Sequence, residues 1–225
     1  MRAFPAPTIA LLIAAVGLTA PCQDLPSKEP RASETKGLPP RVAPSDYQAQ
    51  AKAGDVTIAA EFAAHGVPVE EGSPLSTEDY VVVETAFFGS PGARLTLSPD
   101  HFSLRINSKK VPLPSQPFEL VFKSLKDPEW IPPDSGESKS KSKTSLGGGG
   151  NDIQSNGPPP PVHVPIELRH AMELKVRRAA LPAGERALPQ AGLLFFAYHG
   201  KPTSITSLEL IYEGPAGKAT LTLQP

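Results

Sequence analysis

The sequence predicts an all-β protein, an antiparallel β-sandwich of about seven strands with one helix interposed. Two observations predict this fold. Apolar and polar residues alternate over several short stretches, as they do in a strand with one buried face. Between those stretches lie segments rich in Gly, Pro, Asn and Ser, the residues that form tight turns. Many short strands separated by turns are typical of a β-sandwich.

Seven stretches are predicted to be strands. The alternation is clearest at Phe102, Leu104 and Ile106, since the residues between them are polar. The seven stretches are residues 56–62, 80–88, 102–106, 117–122, 192–198, 207–212 and 218–223. Short turn-forming stretches that begin at Asn107 and Glu213 predict hairpins between neighbouring strands.

One further stretch, residues 165–182, predicts a helix. A proline lies at each end, and apolar residues recur at helical spacing at Leu168, Met172, Val176 and Ala179. The other face is charged. We therefore expect one side of this helix to pack against the sandwich and the other to face solvent.

The N-terminal segment, residues 1–22, has the layout of a secretory signal peptide. An apolar run from Ile9 to Ala20 follows a basic residue and is about half the length of a membrane-spanning helix. Cleavage after Cys22 leaves a mature chain without cysteine. Alternatively, Cys22 becomes a lipid-modified N-terminus, although Pro21 stands where that signal prefers a small residue. The sequence thus predicts export, to the periplasm, the cell envelope or the medium, without an intramolecular disulfide.

Two segments are predicted to be disordered. Residues 23–53 are rich in Pro, Ser, Lys and Glu, and they predict a tether between the signal peptide and the domain. Residues 132–161 combine Ser, Lys, Gly and Pro and predict a long insertion. The predicted β-sandwich domain is therefore residues 54–225, interrupted by this insertion.

The length and charge of the chain limit the classes of partner that we expect. A chain of 225 residues has room for one ordinary domain with flexible additions. Its 22 basic and 23 acidic residues give a formal net charge of -1, which provides no overall field to attract nucleic acid or an anionic membrane. We expect no nucleic-acid partner, and membrane association only if Cys22 is lipidated.

Beyond these patterns, three short stretches resemble a known family. They are Asp100 with Phe102, Ser103 and Leu104, then Leu181 to Glu185, and Gly192 to Phe196. They resemble the bacterial telokin-like, immunoglobulin-fold domains found on exported proteins and lipoproteins. The resemblance covers residues 56–126 and 180–223. It implies an immunoglobulin-like β-sandwich and an exported compartment, and it implies no activity because that family is largely uncharacterised.

Residue types used in catalysis occur, but their spacing does not favour a catalytic site. Ser98, Asp100 and His101 are the residue types of a hydrolytic triad, yet neighbouring strand residues point to opposite faces. We expect Asp100 to cap local backbone amides instead. An enzyme would need titratable residues brought together in one pocket, with Asp100, His101, His170, Glu185 and His199 as the candidates.

No metal or cofactor site is predicted. Glu167 and His170 form a Glu-x-x-His motif one helical turn apart, with His163 further back, but a di-iron site needs a second such motif and more helices. The stretch 146–157, LGGGGNDIQSNG, lacks the strand, helix and lysine of a phosphate-binding loop, and it is interpreted as a spacer.

Basic and aromatic residues offer weak binding signals. The helix carries Arg169, Lys175, Arg177 and Arg178, but acidic residues interrupt them, which favours a mixed solvated face. Lys139, Lys141 and Lys143 lie in the insertion. At least one residue of each pair Phe87–Phe88 and Phe195–Phe196 should face the core, whereas Trp130 is the one aromatic residue proposed for surface recognition.

Taken together, the sequence predicts an exported, non-enzymatic β-sandwich domain that binds an unknown protein or envelope component. Antiparallel sandwiches offer sheet edges and end loops for such binding. Two alternatives stay open: an envelope spacer anchored by a lipid on Cys22, and an enzyme with scattered catalytic residues.

Overall fold

The computed structural model describes residues 35–131 and 164–225. Within them the fold is mostly β, built from antiparallel sheets, and is sandwich-like or barrel-like. The predicted signal peptide with Cys22, and the predicted insertion at residues 132–161, lie outside the described residues.

Thirteen strands, one α-helix and four 3-10 helices form the described part of the chain. In chain order the strands are β1 (Ala49–Ala53), β2 (Val56–Phe62), β3 (Gly66–Val67), β4 (Leu75–Thr77), β5 (Tyr80–Phe88), β6 (Arg94–Leu97), β7 (Phe102–Ile106), β8 (Leu113–Gln116), β9 (Leu125–Lys126), β10 (Gly184–Ala187), β11 (Gln190–Ala197), β12 (Leu208–Gly214) and β13 (Gly217–Leu223). Helix α1 (Ile166–Ala179) lies between β9 and β10, and the 3-10 helices are Pro44–Asp46, Pro99–His101, Phe118–Ser124 and Pro202–Ser204.

The main sheet has eight strands and curls until its two ends meet. Its order is β1-β2-β5-β11-β8-β7-β12-β13. At one end of the seam between β1 and β13, Gln48 Nε2 donates to the backbone oxygen of Gln224 at 2.8 Å. At the other end a Cβ on Gly54 would lie 2.7 Å from the backbone oxygen of Ala216. The curled sheet therefore encloses one large apolar core.

Three of the aromatic rings in this main core pack against one another. The Phe87 ring packs edge-on against Phe102 and Tyr212, with both centroid distances at 5.8 Å. Phe102 and Tyr212 lie 5.1 Å apart. Such pairs contribute beyond their buried area, so these rings tie β5 to β7 and β12 across the core.

A second core lies on the outer face of β5 and β11, beneath α1. Val82, Leu193 and Phe195 point to this side and pack in one cluster with Met172 and Val176 of the helix. Strands β5 and β11 are therefore buried on both faces, which explains their nearly continuous apolar sequences. This second layer positions α1 at the surface.

Most of the predicted elements are confirmed. Predicted strands 56–62, 80–88 and 102–106 have those bounds in the structure, and three more coincide largely with β11, β12 and β13. The hairpin at Glu213 is confirmed, since Gly214 pairs with Gly217. The hairpin after Asn107 is confirmed as β7 and β8, and the predicted helix is α1.

One predicted strand is wrong. Residues 117–122 were expected to be extended, but Phe118–Ser124 is a 3-10 helix. Every third residue packs inward, since Phe118 contacts the second core while Val121 and Ser124 are buried. A repeat of three fits the 3-10 helix, and the apolar run does not alternate in or out as a strand requires.

The predicted disordered tether, residues 23–53, is wrong for the part that the structure describes. Residues 35–53 belong to the folded domain. Leu38 donates its N–H to the oxygen of Ala191 at 3.0 Å, Tyr47 is buried, and β1 pairs along its length with β2. The small side chains of alternate alanines in β1 give a weak hydrophobic pattern, so composition alone suggested disorder.

Candidate functional site

The surface around α1 carries the best candidate site. The helix buries Met172, Val176 and Ala179 against the outer face of the main sheet. A cleft lies along each side of it. We call α1 with these two clefts the helix-side surface.

The first cleft, here the apolar cleft, lies between α1 and the 3-10 helix Phe118–Ser124. Its volume is about 320 Å³. It is lined by Phe122, Leu125, Val164 and Met172, with Lys123, Arg169 and Glu173 beside them. Two exposed apolar side chains stand two residues from its lining, Leu120 at 49% and Ile166 at 79% exposure. An apolar depression with charged neighbours and protruding apolar residues is typical of a protein contact surface.

The second cleft, here the charged cleft, lies on the other side of α1. Its volume is about 230 Å³. Its lining is Gly37, Leu38, Val69, Glu70, Glu71, Ala171, Leu174, Lys175, Arg178 and Ala179. The Gly37 N–H donates to the Arg178 oxygen at 2.9 Å, which holds this residue against the C-terminal end of α1. The lining thus combines apolar residues with two acidic and two basic side chains.

An ion cluster holds residues 35–48 on the main sheet near this surface. Glu61 and Glu84 are direct cross-strand partners on β2 and β5, an arrangement in which like charges repel. Arg41 bridges them, pairing with Glu61 and with Glu84 at 3.3 Å. Its guanidinium also lies 4.5 Å from the centre of the Tyr47 ring. Burial raises the pKa of the Glu84 carboxyl, and Arg41 only partly offsets this.

The raised pKa of Glu84 predicts a pH dependence. The unfolded chain has an ordinary glutamate pKa of 4.5, so the folded protein takes up this proton at higher pH. The contribution of Glu84 to stability should therefore rise as pH falls through its raised pKa towards 4.5. Glu84→Gln should lack this gain. Urea unfolding of both proteins at several pH values measures the difference, and a difference that does not change with pH would contradict the expectation.

Two histidines at the same end of the main sheet make structural contacts. His65 Nδ1 lies 2.6 Å from the Tyr80 oxygen, and its Nε2 lies 3.3 Å from the Gly200 oxygen. His199 Nδ1 lies 3.1 Å from Asp79 Oδ1. Both ring nitrogens of His65 face backbone carbonyls, so this ring joins the loop after β2 to the start of β5 and the end of β11.

The residues of the considered hydrolytic triad do not form one. Ser98 Oγ accepts from the Asp100 N–H at 3.2 Å and donates to Asp100 Oδ2 at 3.3 Å. The expectation that Asp100 caps the backbone is wrong, because Ser98 is the capping residue of the 3-10 helix. His101 packs edge-on against Tyr212, with centroids 6.1 Å apart.

The five scattered titratable residues have separate neighbours. Glu185 pairs with Arg94 at 3.2 Å, His199 pairs with Asp79, and Asp100 contacts Ser98. No hydrogen bond or ion pair between described residues joins any two of Asp100, His101, His170, Glu185 and His199.

The Glu-x-x-His motif lies on the exposed side of α1, where both Glu167 and His170 face solvent. His163 lies outside the described residues, as do Lys139, Lys141, Lys143 and the glycine stretch 146–157. In residues 35–131 and 164–225, no group of three or more His, Cys, Asp or Glu side chains is placed to hold a metal ion. No helix in the described part is long and apolar enough to span a membrane.

The aromatic residues behave as predicted in the core. Phe87 and Phe196 are buried in the main core and Phe195 in the second, while Phe88 is half-buried against Tyr47 at 6.1 Å. Trp130 is half-buried at the end of the described range 35–131.

No protein-family model, curated protein or solved structure matches this chain. The helix-side surface is therefore identified as a candidate site from its geometry alone.

Sequence reasoning identified the helix but not its clefts. In the sequence, Lys175 and Arg178 belong to a helix face of mixed charge, and no pattern distinguishes Glu70 and Glu71. These acidic residues follow β3, about a hundred positions before the helix in the printed sequence. The spacing of i and i+3 between Lys175 and Arg178, which places them on one side of α1, was the one available local signal.

Proposed function

We propose that this chain is an exported, non-enzymatic binding domain that acts at the cell envelope through its helix-side surface. The observation that carries the proposal is the apolar cleft beside α1, together with the exposed side chains of Leu120 and Ile166, each two residues along the chain from its lining. By contrast, β13 at the sheet seam has regular outward polar residues, namely Lys218, Thr220 and Thr222. Concave apolar sites with few polar groups are the usual location of ligands and partners.

The lining of the apolar cleft suits a polypeptide segment that has apolar side chains next to an acidic one. Phe122 and Met172 supply an aromatic and an adaptable thioether surface. Lys123 and Arg169 outnumber Glu173 at the cleft, so a carboxylate on the partner is favoured over an ammonium group.

A non-enzymatic role is consistent with the chemistry of both clefts. Their lining residues are apolar, acidic or basic, and they include no Ser, Thr, Cys or His. Binding by shape and charge is the chemistry that these side chains support.

We also infer that the sandwich is immunoglobulin-like and belongs with the bacterial telokin-like domains. Two stretches of the resemblance, 102–104 and 192–196, provide strands β7 and β11 of the same eight-stranded sheet. That family occurs on exported proteins, which agrees with the predicted signal peptide.

Site-specific photo-crosslinking in the native host tests this function. A benzoylphenylalanine at Ile166 should give a discrete adduct with an envelope component, whereas the same group at exposed Thr222 on β13 should give none. Arg169→Glu should reduce the Ile166 adduct by at least about five-fold, because it reverses a charge at the apolar cleft. The matched control Lys52→Glu, an exposed charge reversal on β1, should leave it unchanged.

Three outcomes would overturn the proposal: equal adducts at the two positions, no adduct at Ile166, or an Ile166 adduct that is insensitive to Arg169→Glu. Intact-mass analysis of the same preparation reports on Cys22. A lipid there would place the binding domain on a membrane anchor, and an unmodified chain beginning near Gln23 would place it free in the exported compartment.

A further inference from the structure

A third depression, here the β8 pocket, lies where two segments reach the same edge of β11. Gln116 at the end of β8 pairs with Phe195 on this edge. Further along the edge, the Leu181 N–H donates to the Leu193 oxygen at 3.0 Å. All four residues line the pocket, whose volume is about 160 Å³. None of its lining residues lines the apolar cleft or the charged cleft, so it is a separate site.

The β8 pocket reaches from the outer face of the main sheet towards the main core. Leu193 and Phe195 belong to the second core on the outer face, whereas Leu181 belongs to the main core. Ser115 is the direct partner of Phe196, a residue of the main core. Directly paired residues of antiparallel strands point to the same face. The Ser115 side chain therefore lies at the inner end of the pocket, which it lines.

The hydroxyl group of Ser115 has no partner. The residue is 7% exposed, and its Oγ atom is buried without a hydrogen bond to any residue of the described ranges. Most buried polar side chains in proteins are hydrogen-bonded, because an unpartnered one destabilises the fold. A bound molecule that reaches this atom would supply the missing bond. The pocket thus combines a mainly apolar lining with one buried polar group that lacks a partner.

We propose that the β8 pocket binds a small uncharged molecule with one hydroxyl group on a short apolar chain, of the class of short-chain alcohols. The hydroxyl group of the ligand forms a hydrogen bond with Ser115 Oγ, since both groups can donate and accept. The chain of the ligand lies against the apolar lining, which includes Phe118, Leu181 and Phe195. Concave apolar sites with few polar groups are the usual sites of small molecules.

The charges around the pocket disfavour ionic ligands. Asp100 and Glu119 line it, and no basic residue does, so an anion is repelled. A cation would have to bury its charge beside a single hydroxyl group, which is unfavourable. The two carboxylates compensate little for this burial, because both side chains are exposed to water. An uncharged head group therefore suits Ser115 best.

The size of the pocket limits the length of the chain. Its volume is about 160 Å³, and a water molecule occupies about 30 Å³ in the liquid. The pocket therefore holds about five water-sized groups. n-Butanol has a matching number of non-hydrogen atoms, whereas a sugar or a nucleotide is too large.

Chemical-shift titration of the full chain with three probes tests the proposal. The probes are n-butanol, n-butylammonium and propanoate, which have the same number of non-hydrogen atoms and differ in charge. n-Butanol should give saturable shifts at Gln116, Ala180 and Ala183, with a dissociation constant in the millimolar range because so few atoms make contact. Each charged probe should bind at least about five-fold more weakly.

A pair of variants tests the role of the hydroxyl group. Ser115→Ala should weaken n-butanol by about five-fold, the effect of losing one hydrogen bond. Thr85→Val is the matched control, because Thr85 Oγ1 is also buried without a partner but Thr85 does not line the pocket. This variant should leave n-butanol binding unchanged.

A second pair of variants tests the location. Ala183→Phe should abolish the n-butanol shifts, since Ala183 is exposed and lines the pocket, so that a large side chain there can fill it. Ala187→Phe is the control, an exposed residue of β10 that does not line the pocket. It should bind n-butanol as the unmodified chain does.

Four outcomes would overturn the proposal. They are the lack of any saturable shift in the millimolar range, equal binding of the three probes, unchanged n-butanol binding in Ser115→Ala, and unchanged binding in Ala183→Phe. Shifts centred on Phe122 and Met172 would place the alcohol in the apolar cleft and would overturn it as well. The polypeptide site proposed above does not depend on any of these results, because it uses other residues.

Discussion

Phe87→Ala should lower the free energy of unfolding by about 3–5 kcal/mol. Phe87 is fully buried, and its ring contacts Phe102 and Tyr212 from two other strands of the curled sheet. Truncation removes apolar burial and leaves a cavity, because strands β5, β7 and β12 are held by their hydrogen-bonded neighbours and close in only partly. Urea unfolding followed by tyrosine fluorescence or circular dichroism measures the loss.

Phe88→Ala is the matched control for that experiment. The two phenylalanines are neighbours on β5, but Phe88 points to the other face and is half-buried against Tyr47. Its truncation should cost clearly less than that of Phe87. Equal losses would mean that the ring cluster is not the centre of the main core.

Gly192→Ala is expected to destabilise the protein by about 2–3 kcal/mol, the upper range for overpacking. A Cβ at this position would lie 2.7 Å from the backbone nitrogen of Leu181 and closer still to its Cα. Neither atom can rotate away as the end of a side chain can. The segment is also fixed, since the Leu181 N–H donates to the Leu193 oxygen at 3.0 Å.

The matched control for this substitution is Gly66→Ala. The nearest atom to a Cβ on Gly66 is the Ala63 oxygen at 3.1 Å, a contact that a small shift relieves. Thermal and urea unfolding should show that Gly192→Ala is clearly less stable than Gly66→Ala. The reverse ranking would show that Leu181, in the segment after α1, shifts easily to admit a Cβ at Gly192. The close approach of this segment to β11 would then contribute little to stability.

The strands that sequence reasoning found share a physical property. Strands β2 and β7 have one face in the main core, so their apolar residues alternate, and β12 and β13 do the same. Strands β5 and β11 are long, apolar and rich in Val, Leu and Phe, and such an apolar run is a second sequence signal for a strand.

Four of the strands that sequence reasoning missed lack that property. Strands β3 and β9 have two residues each, too few to alternate. Strands β6 and β10 form a separate two-stranded sheet whose residues are mostly exposed. Their pairing depends on residues about ninety positions apart, as Leu97 with Gly184 shows, and no local pattern carries that information.

The same reason limits the prediction of the candidate site. The charged residues of α1 can be read from the sequence, but whether they form a site depends on which residues of other segments lie beside them. Glu70 and Arg178 line one cleft only because the segment after β3 and the helix pack over the same sheet face. Arg41 similarly bridges Glu61 and Glu84 from a segment whose composition indicated disorder.

The seam between β1 and β13 has a consequence for how the protein is made. The bond from Gln48 to Gln224 joins positions 176 residues apart, so the ring of strands cannot close while the ribosome still holds the last strand. Folds that depend on such distant pairings form slowly. A chain with this topology therefore completes its main core only after β13 has been synthesised and has come back to lie beside β1.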